Sequence, residues 1–214
     1  MCVGVPLQSV SLFMPQIVQA LGFGTIKTNL YTVAPNVTGA VTLLILAFLS
    51  DWTKIRSIFI SIGFILTLIG FIIFAAIRDP KADTQVAYFA TFMMCWGTSA
   101  PSVLLSTWYS NNMVDENQRL LITSIGVPLG NLMGLVSSNI FQEKDAPKYQ
   151  PALITTAAFG GFGAVLALFL GGFMVLDNFR RNRKQGNSPF LSAKDIPTAK
   201  LQGGPGSLDF RWFL

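Results

Sequence analysis

The sequence predicts an all-α integral membrane protein, built as a six-helix transmembrane bundle. Hydrophobic residues make up 51% of the 214 residues and charged residues only 12%, whereas soluble domains carry roughly 25% charged residues. The charges are also segregated, because long stretches between them lack Asp, Glu, Lys and Arg altogether. These stretches approach or exceed the roughly 20 residues that a helix needs to cross about 30 Å of hydrocarbon.

The apolar stretches define the helices in order, and short loops separate them. Continuous rather than alternating hydrophobicity favours helices over the strands of a membrane barrel. Residues 1–176 would hold the bundle, and residues 177–214, with a Gly- and Pro-rich run at 203–206, are expected to form a mobile cytosolic tail. The predicted spans are residues 2–21, 30–50, 57–77, 86–108, 120–141 and 153–176.

An even number of crossings places both termini on one side of the membrane. Seven Lys and Arg residues lie near the membrane on that side and five on the other, and the cluster at residues 180–184 makes the difference. The excess predicts cytosolic termini. The same cluster supplies much of the net charge of +5 and can lie against anionic lipid, so we predict no nucleic-acid partner.

The polarity of the spans repeats after three helices. The first and fourth spans are the most polar, the second and fifth are intermediate, and the third and sixth carry only small hydroxyl residues as polar groups. Polar groups within lipid need partners, so the first and fourth spans are expected to face protein or a water-filled cavity. Each half of a major facilitator transporter has such a three-plus-three repeat. Chance repetition of so simple a pattern is the alternative.

Neutral polar side chains within the spans are the candidates to line a substrate cavity. The spans contain no Asp, Glu, Lys or Arg and the chain contains no His, so no proton carrier is evident. The same absence disfavours an enzyme, and we predict neither a metal nor a cofactor. For each candidate, the alternative is a hydrogen bond between helices. The candidates are Gln8, Ser11, Asn36, Thr98, Ser102 and Asn131.

The fifth span carries glycine at every fourth position. Gly126, Gly130 and Gly134 form G-x-x-x-G-x-x-x-G, which predicts close helix packing along one stripe. Pro128 within the same stretch removes a backbone donor, so a bend in this helix is the alternative role.

The loop AFLSDWTKIRS at 47–57 resembles the major facilitator loop pattern G-x-x-x-D-R-x-G-R-R. In that pattern the Asp and the basic residues hold one gate conformation at the cytosolic surface. Asp51 and Arg56 carry over as a gate pair. Ala47, Trp52 and Lys54 depart from the pattern, and Lys54 stands where it has its second glycine. A solvated loop of mixed charge is the alternative.

Longer stretches resemble the fungal allantoate permease family of anion:cation symporters. They are SLFMPQIVQALGF at 11–23, TWYSNNMVDENQR at 107–119, PLGNLMGLVSSNIFQEKDAPKYQ at 128–150 and the terminal DFRWFL. The resemblance covers the whole chain but only the second half of the family's proteins, which have about twelve spans. It therefore implies the C-terminal half of a major facilitator fold.

The resemblance also implies a function, namely proton-driven transport of a small organic anion, vitamin or nitrogen compound across the plasma membrane. Allantoate, nicotinate, pantothenate and biotin are such substrates. As one half, the chain is expected to need a missing N-terminal six-helix half and to be inactive alone. Two alternatives remain open: a complete half-size transporter that works as a homodimer, and a multispan protein that does not transport.

Overall fold

A computed structural model describes residues 1–19, 21–22, 24–77, 83–141, 149–188 and 204–214, together with residues 191, 193 and 196. Across these residues the chain forms six helices and no strand, which confirms the all-α class. Each helix overlaps one predicted span. The helices are α1 (Gly4–Gln19), α2 (Thr25–Thr53), α3 (Arg56–Ala76), α4 (Thr84–Asn112), α5 (Glu116–Ile140) and α6 (Gln150–Lys184).

Four of these helices are long and apolar enough to cross a membrane. They are Ile26–Thr53, Arg56–Ala76, Glu116–Ile140 and Gln150–Lys184. The other two are α1, which has 16 residues, and α4, which has 29 residues and carries Ser, Thr and Pro side chains within its apolar stretch. These two helices correspond to the first and fourth spans, in which polar side chains need protein partners rather than lipid.

The helix α3 packs tightly because glycines remove side chains where helices meet. A Cβ atom on Gly97 of α4 would lie 2.3 Å from the Thr67 backbone nitrogen, and one on Gly163 of α6 would lie 2.6 Å from a ring carbon of Phe64. The opposite face of α3 is apolar and exposed, as expected of a lipid-facing stripe with helical periodicity. That stripe consists of Ile58, Ile62, Ile65, Ile69 and Ile72.

Two apolar clusters fill the bundle at different levels along α3. One surrounds Phe71 and Met94 and includes Met14 and Ile17 of α1. The other surrounds Ile60 and includes side chains of α3, α4 and α6. The helix α5 contributes few buried residues and lies at the edge of the bundle.

The C-terminal part of the chain packs against the bundle. The helix α6 continues to Lys184, well past the predicted end of the span at residue 176. Residues 204–214 then pack against helix ends, where Phe210 is 2% exposed and Arg211 0%. Polar side chains after residue 176 find hydrogen-bond partners within the chain. The mobility expected of residues 177–214 stays a prediction.

Candidate functional site

The helices α1 and α5 run side by side and bring Gln8 and Asn131 together. The Gln8 Nε2 donates a hydrogen bond to the Asn131 Oδ1 over 3.3 Å. Helical periodicity places Leu12 next to Gln8 and Leu135 next to Asn131. The face that each helix presents at this contact therefore carries both an amide and a leucine side chain. The two amides lie in an open groove lined by Gln8, Leu12, Pro128, Asn131, Leu132, Gly134, Leu135 and Ser138.

Ser11 and Asn36 also lie at the surface of the bundle. Ser11 is exposed on α1, three residues after Gln8 and therefore on a neighbouring part of the helix surface. Asn36 is exposed on α2, and its Nδ2 donates to the Thr32 carbonyl over 2.9 Å. The Asn36 Oδ1 faces the Cys95 Sγ at 3.8 Å. Asn36 therefore marks the contact between α2 and α4, apart from the groove between α1 and α5.

The remaining two candidates turn back onto their own helix. Thr98 is 5% exposed and its hydroxyl donates to the Met94 carbonyl over 2.9 Å. Ser102 is half-buried and donates to the Ser99 carbonyl over 2.8 Å. Other side chains of the bundle cover Thr98. The cavity roles of Thr98 and Ser102 stay predictions.

A buried cluster of hydroxyl groups was missed by reasoning from the sequence. The Ser9 Oγ lies 2.7 Å from the Ser137 Oγ and 3.4 Å from the Thr156 Oγ1. All three residues are fully buried, at 0% exposure. The cluster joins α1, α5 and α6 where apolar side chains would give no directed contact. Ser9 adjoins Gln8 in the sequence, and nothing in the pattern distinguishes the buried residue from the exposed one.

The glycine stripe of α5 packs only in part. A Cβ on Gly126 or Gly130 would meet nothing within 4 Å, and one on Gly134 would lie 3.6 Å from the Gln8 side chain. A Cβ on Gly4 of α1 would lie 2.9 Å from the Gly130 carbonyl oxygen, so the α5 backbone approaches α1 closely at Gly130. The packing role of Gly126 stays a prediction.

The turn between α2 and α3 forms the predicted Asp51–Arg56 pair. The Arg56 Nη2 lies 2.7 Å from the Asp51 Oδ1. Lys54 takes a left-handed conformation with φ 62°, and its backbone N–H bonds to the Ser50 carbonyl. This reversal carries the start of α3 back toward the end of α2. The structure thus contains the geometry that a gate pair needs, and its action as a gate stays a prediction.

We expect the Asp51–Arg56 pair to contribute little to stability. The Arg56 side chain is 12% exposed, but that of Asp51 is 61% exposed, so solvent reaches the carboxylate, and ion pairs that solvent screens contribute about 0.2–1 kcal/mol. A double-mutant cycle of Asp51→Asn and Arg56→Gln, read from thermal unfolding in detergent, should give a coupling within that range. A coupling several times larger would show that the pair is a structural clamp instead.

Comparison with known proteins finds relatives that are named as transporters, of which three follow. The chain is 49% identical over 214 residues to an uncharacterized transporter of Schizosaccharomyces pombe, which is 100% of this chain and 42% of that protein. It is 45% identical over 183 residues to an MFS-type transporter of Hormonema carpetanum, and the match covers 86% of this chain and 37% of that protein. It is 31% identical over 163 residues to a high-affinity nicotinic acid transporter of Saccharomyces cerevisiae, and the match covers 75% of this chain and 30% of that protein.

No protein-family model matches the chain, and no solved structure matches it significantly. The chain spans less than half the length of each of these relatives. All three are named as transporters rather than enzymes, and another relative is named a major facilitator-type transporter. The chain is accordingly an integral membrane protein related to fungal transporters of the major facilitator type, with the fold of one six-helix half of such a transporter.

Proposed function

We propose that the chain forms the C-terminal half of a proton-coupled symporter for a small organic anion, vitamin or nitrogen compound. The observation that carries this proposal is the low burial of α2 and α5. In the most apolar stretch of each of these helices only 11% of the residues are buried, against 44% in α3. A second six-helix body would cover these faces.

The polar groups beside α5 favour a protein or water-filled partner over lipid alone. Gln8 and Asn131 hold amide groups in the groove between α1 and α5. Amides in contact with hydrocarbon cost free energy unless they are paired, so polar residues within spans generally face cavities or other helices. The groove therefore suits one wall of a cavity that is completed by another body.

A planar organic acid is the substrate class that these groups suit best. The amide N–H groups of Gln8 and Asn131 can donate hydrogen bonds to a carboxylate. The predicted spans hold no Lys or Arg, so a positive counter-charge and the proton-carrying acid belong to the second body. The nicotinic acid transporter among the relatives supports this class, as does the resemblance to the allantoate permease family.

Both termini are proposed to lie in the cytosol, with the protein in the plasma membrane. The Lys and Arg cluster at the end of α6 supports this orientation. Arg78, Lys81, Lys144 and Lys148, which supply most of the opposing charge, lie outside the described residues. A second copy of the chain in place of the N-terminal half is the alternative arrangement.

Uptake by matched yeast strains tests the proposal. One strain, deficient in nicotinate uptake, expresses the chain alone. A second expresses it fused behind the N-terminal half of the Schizosaccharomyces pombe relative. We expect labelled nicotinate, pantothenate, biotin and allantoate to stay at background in the first strain, and at least one to accumulate in the second. Proton-dependent uptake by the chain alone, together with a cross-linked dimer, would overturn the half-transporter proposal and favour the homodimer.

A further inference from the structure

We propose that residues 210–214, here called the strap, hold the Asp51–Arg56 turn in its observed conformation by tying the ends of α3, α4 and α6 together. The strap lies at the end of the bundle that carries this turn. It follows the packed residues 204–209, has no regular secondary structure and contacts three helix ends. Release of the strap would free the turn to open.

Two asparagines recognise the backbone of the strap. The Asn178 Oδ1 accepts from the Trp212 backbone N–H over 2.8 Å, and the Asn178 Nδ2 donates to the Trp212 carbonyl over 2.9 Å. Asn112 makes the same pair of bonds with Phe213, at 2.8 and 3.0 Å. Each amide therefore satisfies both polar groups of one extended residue, as a neighbouring strand would. One of the asparagines belongs to α4 and the other to α6.

Arg211 anchors the strap in the interior. Its Nε donates to the Asn182 Oδ1 over 2.7 Å and its Nη2 to the Gln185 Oε1 over 2.6 Å. Burial, followed by the nearby charge of Arg181, lowers the pKa of the Arg211 guanidinium from its ordinary value. A buried charge of this kind is tolerated only where hydrogen bonds replace water, and these amide oxygens do so. The next side chain, Trp212, donates from its indole nitrogen to Asp177 over 2.8 Å.

The far end of the strap contacts the Asp51–Arg56 turn. The backbone N–H of Arg56 donates to the Leu214 backbone oxygen over 2.7 Å. The Trp108 indole of α4 donates to the Phe213 carbonyl over 3.0 Å. Arg56 is therefore held twice, through its main chain by the strap and through its side chain by Asp51. Loss of the first contact leaves the start of α3 without a partner for its first backbone donor.

The turn also contains polar atoms that suggest a second conformation. The Ser50 Oγ and the Arg56 Nη1 are buried and have no hydrogen-bond partner among the described residues. Buried polar atoms without partners cost free energy, and opening of the turn would return both to water. The hydrogen bonds of the strap to α3, α4 and α6 oppose this opening. The turn and the strap together thus form an element with two conformations, which the strap biases toward the closed one.

A thiol-labelling experiment on the full chain tests this device. The reporter is Ser50→Cys, placed at a fully buried position of the turn, in a chain that carries Cys2→Ser. The native Cys95, which is 2% exposed in the core, reports loss of folding. In the variant Asn112→Leu/Asn178→Leu, we expect a membrane-permeant maleimide to label the reporter faster, on the order of tenfold or more for the four hydrogen bonds removed. Cys95 should stay protected.

The matched control is Asn111→Leu, which changes the exposed neighbour of Asn112 and should leave labelling of the reporter unchanged. Leu214→Cys, placed in the strap of a parallel chain, reports undocking directly. Undocking without any increase at the Ser50→Cys thiol would overturn the proposal, as would equal increases in the Asn111→Leu control. If Cys95 becomes reactive in the double variant, Trp212→Phe, which loses only the bond to Asp177, should still raise labelling of the reporter. No increase there would likewise overturn the proposal.

Discussion

Replacing Gly97 with leucine should prevent the bundle from folding stably. A Cβ atom at this position would lie 2.3 Å from the Thr67 nitrogen, 2.5 Å from the Thr67 Oγ1 and 2.7 Å from the Gly63 carbonyl oxygen. Two of these atoms belong to the backbone of α3, so no side-chain rotation relieves the overlap. Overpacking of a core typically costs about 1–3 kcal/mol and sometimes more. We expect a free-energy cost above this typical range at Gly97, because the backbones of α3 and α4 would have to move apart.

Fluorescence-detected size exclusion after graded heating in detergent measures this effect. Gly97→Leu should give a lower midpoint or no monodisperse peak, and Gly97→Ala an intermediate result. The matched control is Gly126→Ala, since a Cβ on Gly126 meets nothing within 4 Å. Comparable losses at the two positions would contradict the packing of α3 against α4. The comparison also tests the packing predicted for the α5 stripe, because that prediction places Gly126 in a tight contact.

Replacing Ser9 with leucine should have the second-largest effect. Ser9, Ser137 and Thr156 are each at 0% exposure, so the larger side chain has no room and removes the hydroxyl that the other two contact. Overpacking contributes about 1–3 kcal/mol, and loss of the interhelical hydrogen bonds adds about 1–2 kcal/mol. The expected result is a chain whose α1 no longer docks between α5 and α6. The same heating assay reports it.

Ser11→Leu is the matched control, because Ser11 is an exposed serine on the same helix. We expect little change in its midpoint. A cycle of Ser9→Ala and Ser137→Ala then separates hydrogen bonding from packing, since alanine removes the hydroxyls without overfilling the site. The two single changes should sum to more than the double change, because both remove the same 2.7 Å contact. Strict additivity would show that the two hydroxyls do not interact.

Hydropathy predicted the helices well because lipid imposes a single strong constraint. A segment such as 57–77 is apolar throughout, and the observed α3 coincides with it almost entirely. Helix ends were harder to predict, since α2 and α6 extend beyond their apolar portions into polar sequence. Hydropathy detects which residues suit hydrocarbon. It does not detect where backbone hydrogen bonding stops.

Part of the candidate site could be predicted from the sequence. Polarity identifies Gln8 and Asn131, which do meet across α1 and α5. Thr98 is equally polar in sequence, but it is buried. Gly126 has the spacing of a packing stripe, but an added Cβ there would meet no described atom within 4 Å. Sequence spacing specifies the face of a helix, whereas contact depends also on which neighbouring helix lies opposite that face.

The left-handed turn at Lys54 shows how a degenerate motif can keep its shape. The related loop pattern has glycine at this position, and the structure shows the backbone requirement that glycine meets, a φ of 62°. A side chain in this conformation costs roughly 1–2 kcal/mol. The hydrogen bond from the Lys54 backbone N–H to the Ser50 carbonyl offsets part of this cost. Lys54 thus takes up, without being glycine, a backbone angle that glycine adopts at no steric cost. A change of Lys54 to glycine should therefore leave the direction of the chain between α2 and α3 unchanged, whereas a β-branched residue there should strain it.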